Sequence, residues 1–260
     1  KLVKKWISDC KLNGIISDSR FGVYSKKIPS VFITHQLNVL SGNTTWLTGK
    51  VQSLIISKFN ETWVPDSEGK PNLSGKLGHL RMTSDSIKYL DPLSRMTKAT
   101  VVAKYKLMVL LSGPEPQRTF LEEILIRELK DYDGKIIFVR GVVEENMKIE
   151  KVDNYTYYNF MTSEELQTKI NESEKLICRS GYTTIMDLAK LQKKALLIPT
   201  PGQYEQEYLA KRLQKKEMLP FVKQEDFKIS ALDKILLFKS VFLYNSKVKG
   251  KLVVVLIFKL

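Results

Sequence analysis

Apolar positions along the chain switch repeatedly between helical and strand periods. Leu2, Val3, Trp6 and Ile7 recur at helical spacing and predict a short amphipathic helix over residues 1–11, ended by Asn13-Gly14. Ile15-Ile16 and Val31-Phe32-Ile33 are brief apolar runs of strand length. Val51, Leu54, Ile55 and Phe59 predict a second helix, Thr62-Trp63-Val64 a strand with Trp63 in the core, and residues 65–71 a loop by composition. From Tyr105 an apolar strand runs through Leu111, a turn follows over residues 112–118, and Phe120, Leu121, Ile124, Leu125 and Leu129 recur as a helix. Residues 136–139 and 155–160 read as further strands, and Thr162-Ser-Glu-Glu165 as a capping box opening a helix. Strands separated by helical or polar links in this way predict parallel α/β sheets.

Loops after parallel strands lie at the carboxyl edge of the sheet, where open α/β folds place their ligands. In the first part of the chain that edge carries Asp18, Arg20, Gly22, Thr34, His35, Gln36 and Asn38.

The clearest pattern runs from residue 175 to 210. Leu176 to Cys178 is an apolar strand that stops at Ser180-Gly181, and Ile185, Leu188 and Ala189 then continue as a helix. Such a corner leaves unpaired backbone N–H groups at a helix start, where the dipole also favours negative charge, so it suits a phosphate. A second strand, residues 195–198, meets a Gly/Pro turn and a helix whose buried face is Tyr208, Leu209 and Leu213. Gln203, Glu205, Gln206 and Glu207 crowd that helix start. Two amides and two carboxylates can bond sugar diols in two directions. The same residues equally fit a solvated helix start whose acids the macrodipole favours.

Composition narrows the class. A chain of 260 residues with 43% hydrophobic content can bury the cores of two domains. Cys10 and Cys178 are the only cysteines, so a disulfide framework is not expected, a reducing compartment is the default, and Cys178 reads as a small core residue. The net charge of +14 comes from scattered pairs such as Lys26-Lys27, Lys193-Lys194 and Lys215-Lys216, without the aromatic interleaving of a single-strand binder. No nucleic-acid partner is expected. The charge fits a solvated basic surface, or attraction to an anionic membrane face at about 1 kcal/mol per basic residue. No apolar run reaches the roughly 18 residues of a membrane helix. The first residues form no signal peptide and carry no initiator Met, so the chain reads as a piece beginning partway through a domain. Lys247, Lys249 and Lys251 followed by the β-branched run at 252–258 read as a strand or a non-native tail.

A resemblance adds to this reading. Cys178-Arg-Ser-Gly181, then Asp187 at helical distance, then Ile198-Pro-Thr-Pro-Gly-Gln-Tyr-Glu-Gln-Glu-Tyr-Leu-Ala210 resembles the C-terminal donor-binding domain of family 28 glycosyltransferases. That family includes a peptidoglycan N-acetylglucosaminyltransferase acting on a lipid-linked sugar. Tyr89-Leu-Asp-Pro-Leu-Ser-Arg95 is similar to the family's interdomain turn, in which relatives favour Gly where this chain has Asp91, and Thr34-His-Gln-Leu-Asn38 to its His-containing loop. The similarity covers residues 12–225.

The resemblance implies an α/β chain of GT-B fold: two Rossmann-like domains facing across a cleft, the first incomplete. Residues 1–94 would be the remainder of the acceptor-side domain, 95–230 the nucleotide-sugar domain and 231–260 a tail of uncertain structure. It implies that Arg95, Ser112, Gly113, Gln117, Ser180 and Gly181 hold the donor diphosphate. Phe160, Met161 and Asp187 would hold the nucleoside, with Asp187 on the ribose, and Gln203, Glu205, Gln206 and Glu207 the sugar. Asp18, Arg20, His35 and Asn38 would face the acceptor; the catalytic base is unknown, with His35 a candidate. No metal or other cofactor is expected, since GT-B enzymes meet the leaving diphosphate with helix termini and Arg. The implied activity moves a sugar such as N-acetylglucosamine from a UDP-sugar to a hydroxyl acceptor that is lipid-linked, in the cytoplasm or peripherally at the inner membrane face. A nucleotide-sugar hydrolase or epimerase on the same scaffold, or a binding-only fragment, are the alternatives.

Overall fold

The computed structural model describes residues 2–39, 52–80 and 84–238. The chain divides between Leu93 and Ser94 into two compact units. Val51 and the stretch 239–260, including Lys247, Lys249 and Lys251, lie outside the described residues.

In the first unit, helix α1 (Leu2–Asp9) precedes strands β1 (Ile15–Asp18), β2 (Ser30–Ile33), β3 (Glu61–Val64) and β4 (Ile87–Tyr89). All four pair in parallel, in the order β1-β2-β3-β4. The core forms where alternate side chains point inward: Phe32 is fully buried and stacks on Phe59 at 4.9 Å. Helix α1 ends at Asp9, short of the expected limit, and buries none of its residues. The expectation of Trp63 in the core is corrected. The two-residue period of β3 buries Thr62 and Val64, turning Trp63 to the side of Glu61, whose carboxylate accepts the indole N–H at 2.7 Å.

The second unit runs β5 (Tyr105–Leu110), α2 (Gln117–Glu128), β6 (Ile136–Val139), β7 (Ile149–Val152), β8 (Tyr155–Tyr158), α3 (Ser163–Asn171), β9 (Ser173–Cys178), α4 (Tyr182–Leu191), β10 (Lys194–Leu197) and α5 (Tyr204–Lys215). Its sheet has the order β10-β9-β5-β6-β8-β7. Every pair is parallel except β7 with β8. Strand β7 was not legible as apolar because all four of its residues are exposed. Strand β8 ends at Tyr158, two residues before the expected limit. The capping box forms as the spacing predicts, Thr162 and Glu165 each accepting the other's backbone N–H.

One sheet face is covered by Leu121 and Leu125 of α2, and also by Phe227, Leu232 and Ile235 from the stretch after α5. Each such side chain contributes on the order of 2 kcal/mol by leaving water. Strand β5 has β6 on one side and β9 on the other: the chain runs from β5 to β6 in one direction and, after β8, crosses back to β9 on the far side of β5. That is the switch point where an α/β sheet opens a crevice at its carboxyl edge. The corners β5–α2 and β9–α4 flank it.

Candidate functional site

At the β9–α4 corner, Gly181 is the N-cap of α4 with φ −67° and ψ 142°, and no side chain caps the helix. Ser180 before it is fully buried, and its hydroxyl donates to the Gln206 main-chain carbonyl at 2.8 Å. The hydroxyl proton expected for a phosphate is therefore engaged inside the protein. What this corner turns outward is the start of α4 with its dipole.

The β10–α5 corner is braced by its own side chains. Gln206 accepts the Thr200 N–H through Oε1 at 2.9 Å and donates from Nε2 to Gln203 Oε1 at 2.7 Å. Glu207 accepts the Gly202 N–H at 3.1 Å. The expectation that these amides and carboxylates stand open to a sugar is corrected to this extent: both ends of the Gln206 amide already fix the turn, while the remaining lone pairs stay usable. Gln203 is exposed, and Glu205 and Glu207 are half-buried. On α5 itself, Leu209, Ala210 and Leu213 are buried, whereas Tyr208 is only half-buried because it starts the edge of that face.

Arg179 binds the corners together, a role the sequence did not reveal. Its side chain is almost wholly buried, and its guanidinium donates to the carbonyls of Ile198 and Pro199, each at 3.3 Å, and of Gln117 at 2.7 Å. Burial lowers its pKa to about 10. Three carbonyls from two other corners thus converge on one cation beside the switch point. Arg179 Nε, Thr200 Oγ1 and Gln224 Oε1 are buried polar atoms with no hydrogen-bond partner among the described residues.

The β5–α2 corner differs from the expected phosphate cradle. Glu115 already sits at the start of α2, accepting from Thr119 N at 3.2 Å, from Thr119 Oγ1 at 2.8 Å and from the Arg118 guanidinium. An internal carboxylate therefore occupies the place where a helix start would attract a phosphate. Ser112 and Gly113 are exposed, and Gly113 holds φ +102°, a conformation open to glycine. A Cβ on Gly113 would lie 3.8 Å from Thr200 Oγ1, which puts the first corner against the third. The Gln117 side chain accepts from Gln224 Nε2 at 3.2 Å.

Asp187, on the half-buried side of α4, accepts from Ser94 Oγ at 2.6 Å. Burial raises the Asp187 pKa, and the Ser94 bond and the Arg95 charge pull it back in part. Two residues predicted far apart in sequence, Arg95 and Asp187, are thus electrostatic neighbours within the second unit. Phe160 and Met161 lie half-buried between β8 and α3, outside the apolar core, and the Phe160 N–H is taken by Asn159 Oδ1 at 3.0 Å. Asp91 adopts φ +60°, the left-handed conformation that glycine favours, and accepts from Ser67 Oγ at 2.6 Å.

In the first unit, Asp18 ends β1 and Arg20 follows it, both exposed, and His35 and Asn38 are half-buried after β2. The Asn38 amide donates to the Lys76 carbonyl at 2.7 Å, fastening the loop that follows β3. That loop holds a pair the sequence reading missed. Asp66 is fully buried and accepts from Ser67 N, Leu73 N and Ser74 N at 2.8–2.9 Å, and from the Ser74 hydroxyl. His79 Nε2 lies 3.3 Å from the same carboxylate. Burial alone would raise the Asp66 pKa, but the bonds from His79, Leu73 and Ser74 outweigh it and lower the value. Among the described residues there is no group of three or more His, Cys, Asp or Glu that could hold a metal, and no helix is long and apolar enough to cross a membrane.

Residues 119–240 match the family described as the glycosyltransferase family 28 C-terminal domain. The chain is 23% identical over 217 residues to a UDP-N-acetylglucosamine--N-acetylmuramyl-(pentapeptide) pyrophosphoryl-undecaprenol N-acetylglucosamine transferase from Haemophilus ducreyi. That alignment covers 80% of this chain and 57% of the relative, so the chain spans little more than half of that protein's length. The crystal structure of Acinetobacter baumannii MurG superposes with a TM-score of 0.54 at 13% identity, covering 92% of this chain and 68% of that one. A kitacinnamycin glycotransferase gives a TM-score of 0.61 at 10% identity, with 91% and 70% covered.

Proposed function

We propose, on the premise that residues 119–240 are a glycosyltransferase family 28 C-terminal domain in a chain of GT-B fold, that this protein transfers a hexose from a UDP-sugar to a hydroxyl of a lipid-linked acceptor. The observation that carries the reading is the junction of the β9–α4 and β10–α5 corners, which the Ser180 bond to Gln206 holds side by side. The start of α4 offers backbone N–H groups and dipole to the donor diphosphate, and Arg95 adds a fork matched to phosphate oxygens. We assign Asp187 to the ribose hydroxyls, Phe160 and Met161 to the base, and Gln203, Glu205, Glu207 and the remaining lone pairs of Gln206 to the hexose. Ser112, Gly113 and Gln117 contribute the rim of the same crevice.

The chemistry passes through an oxocarbenium-like state, so the departing diphosphate must be met by positive charge. The α4 start and Arg95 can supply that charge without a metal. N-acetylglucosamine is the donor sugar we assign, by likeness to the Haemophilus ducreyi relative. The lipid-linked acceptor rests on the same likeness, and a basic chain with net charge +14 suits an anionic membrane surface at the cytoplasmic face.

Calorimetric titration with UDP and UDP-N-acetylglucosamine tests the reading. Wild type should bind both, Asp187→Ala should weaken both, and Gln206→Ala should reduce discrimination between them. Absence of UDP binding by wild type would overturn the reading.

A further inference from the structure

We infer that a second copy of this chain pairs along the free edge of β7, joining the sheets of the two second units across a two-fold axis. The inference goes beyond the transferase reading and does not rest on it. Strand β7 ends the sheet order, all four of its residues are exposed, and no strand lies beyond it among the described residues. It carries apolar side chains into water, with Ile149 51% exposed and Val152 close behind. An open edge of this kind is a template for another chain.

The direction of each main-chain group on β7 follows from its neighbours. Within a strand, successive residues turn their N–H and C=O to opposite sides. On β8, the Asn154 carbonyl accepts from Ile136 N at 2.9 Å and the Tyr158 carbonyl from Arg140 N at 2.8 Å. Those residues face β6, so Tyr155 and Tyr157 face β7. Opposite them across the hairpin stand Val152 and Glu150, and Asn159 N continues the alternation by donating to the Lys148 carbonyl at 3.3 Å. The main chains of Lys148, Glu150 and Val152 are thus turned to β8. Those of Ile149 and Lys151 point out of the sheet, with no backbone partner among the described residues.

Two antiparallel copies can bond only through these outward residues, and three registers centre on the strand. Centring on Glu150 sets that carboxylate opposite its own copy. Centring on Lys151 does the same with two ammonium groups. Centring on Ile149 puts Ile149 against Ile149, Lys151 against the exposed Met147, and Lys148 against Glu150 on both sides of the axis. The Lys148 and Glu150 pairs then fall at the closer, non-bonded positions, where opposite charges attract. Charge therefore selects the third register. Lys148 now holds Glu144 at 2.8 Å, and Glu150 lies 3.8 Å from Arg140, but Lys148 and Glu150 are largely exposed and such pairs exchange partners at little cost.

Strand β7 lies three strands from β5, about 14 Å away, so the pairing leaves the crevice at the switch point open. An edge this short buries less than the roughly 1,200 Å² at which stable interfaces begin, so the dimer belongs to the weak, concentration-dependent class.

Sedimentation velocity on the 260-residue chain over a micromolar concentration series tests the pairing. Salt at about 0.15 M screens the repulsion between two chains of net charge +14. Wild type should pass from monomer to dimer. Hydrogen exchange at Ile149 N and Lys151 N should slow as the dimer forms, while Glu150 N and Val152 N stay protected throughout. Lys148→Glu sets acids face to face on both sides of the axis and should weaken the dimer about tenfold or more. Lys148→Glu combined with Glu150→Lys restores both opposite pairs and should return the dimer to near wild-type strength. Ile149→Pro removes an outward N–H that β8 does not use, and should abolish the dimer. Thermal melts of the two charge variants should match wild type. A wild type that stays monomeric, a dimer indifferent to Lys148→Glu, or a double variant that stays weak overturns the inference. So does a monomer whose Ile149 N and Lys151 N are protected at every concentration, since a segment of the same chain then holds the edge.

Discussion

Ser180 Oγ donates to the main-chain carbonyl of Gln206 at 2.8 Å, so the corner after β9 is tied to the corner after β10. A single buried side chain links the residue next to the α4 start to the first turn of α5. Ser180→Ala removes this link without adding bulk. It should lower stability by about 1 kcal/mol, the net worth of one such bond, and weaken UDP binding through loosened corners. Thermal unfolding and calorimetry on the same samples would show both effects.

Arg179→Met should cost more. The substitution keeps an apolar stem of similar length but leaves the carbonyls of Gln117, Ile198 and Pro199 without their shared donor. We expect a loss of about 2–4 kcal/mol, since buried acceptors left unpaired carry their desolvation cost. Urea denaturation followed by far-ultraviolet circular dichroism measures it, and Arg179→Lys should recover only part of the loss, because an ammonium cannot fork to three carbonyls.

Asp66→Asn should destabilise the first unit by about 3 kcal/mol at neutral pH, by turning an amide group toward backbone N–H donors. The sign with pH follows from the lowered Asp66 pKa. An acid whose folded value lies below its unfolded one contributes its full stability above the unfolded value, about pH 4, and loses it as pH falls through the folded value. The gap between wild type and variant should therefore narrow below about pH 4. Trp6, Trp46 and Trp63 are the only tryptophans and all precede residue 94, so tryptophan fluorescence reports this unit alone.

Gly78→Ala tests the packing behind His79. A Cβ there would stand 2.3 Å from Ser74 Oγ and 3.3 Å from the His35 carbonyl. Ser74 cannot swing away without releasing Asp66, so the clash must displace the loop. A loss of about 1–3 kcal/mol by the same fluorescence measurement is expected.

Period and punctuation made much of the second unit readable. The apolar runs at β5, β6, β9 and β10 are buried on both faces, so they announce themselves without alternation, and Thr162 with Glu165 marked its helix start. Strand β7 escaped because its side chains face solvent, and Trp63 misled because period two, not hydrophobicity, decides which face a strand residue takes. At the candidate site the corners were legible and the bonding inside them was not. Arg179 stands in the Cys178-Arg-Ser-Gly181 motif, but no spacing tells an inward arginine from an outward one. Asp66 and His79 are separated by a loop whose polar composition resembles solvent-exposed linkers, and only the folded backbone brings the imidazole to the carboxylate.

The stretch after α5 has a practical bearing. Since Leu232 and Ile235 seal the same sheet face as Leu121 and Leu125, excising the second unit by cutting at residue 230 would strip a plug from β5 and β6. Such a shortened product should bind hydrophobic dyes and precipitate on warming, whereas one retaining residues through 238 should stay dispersed.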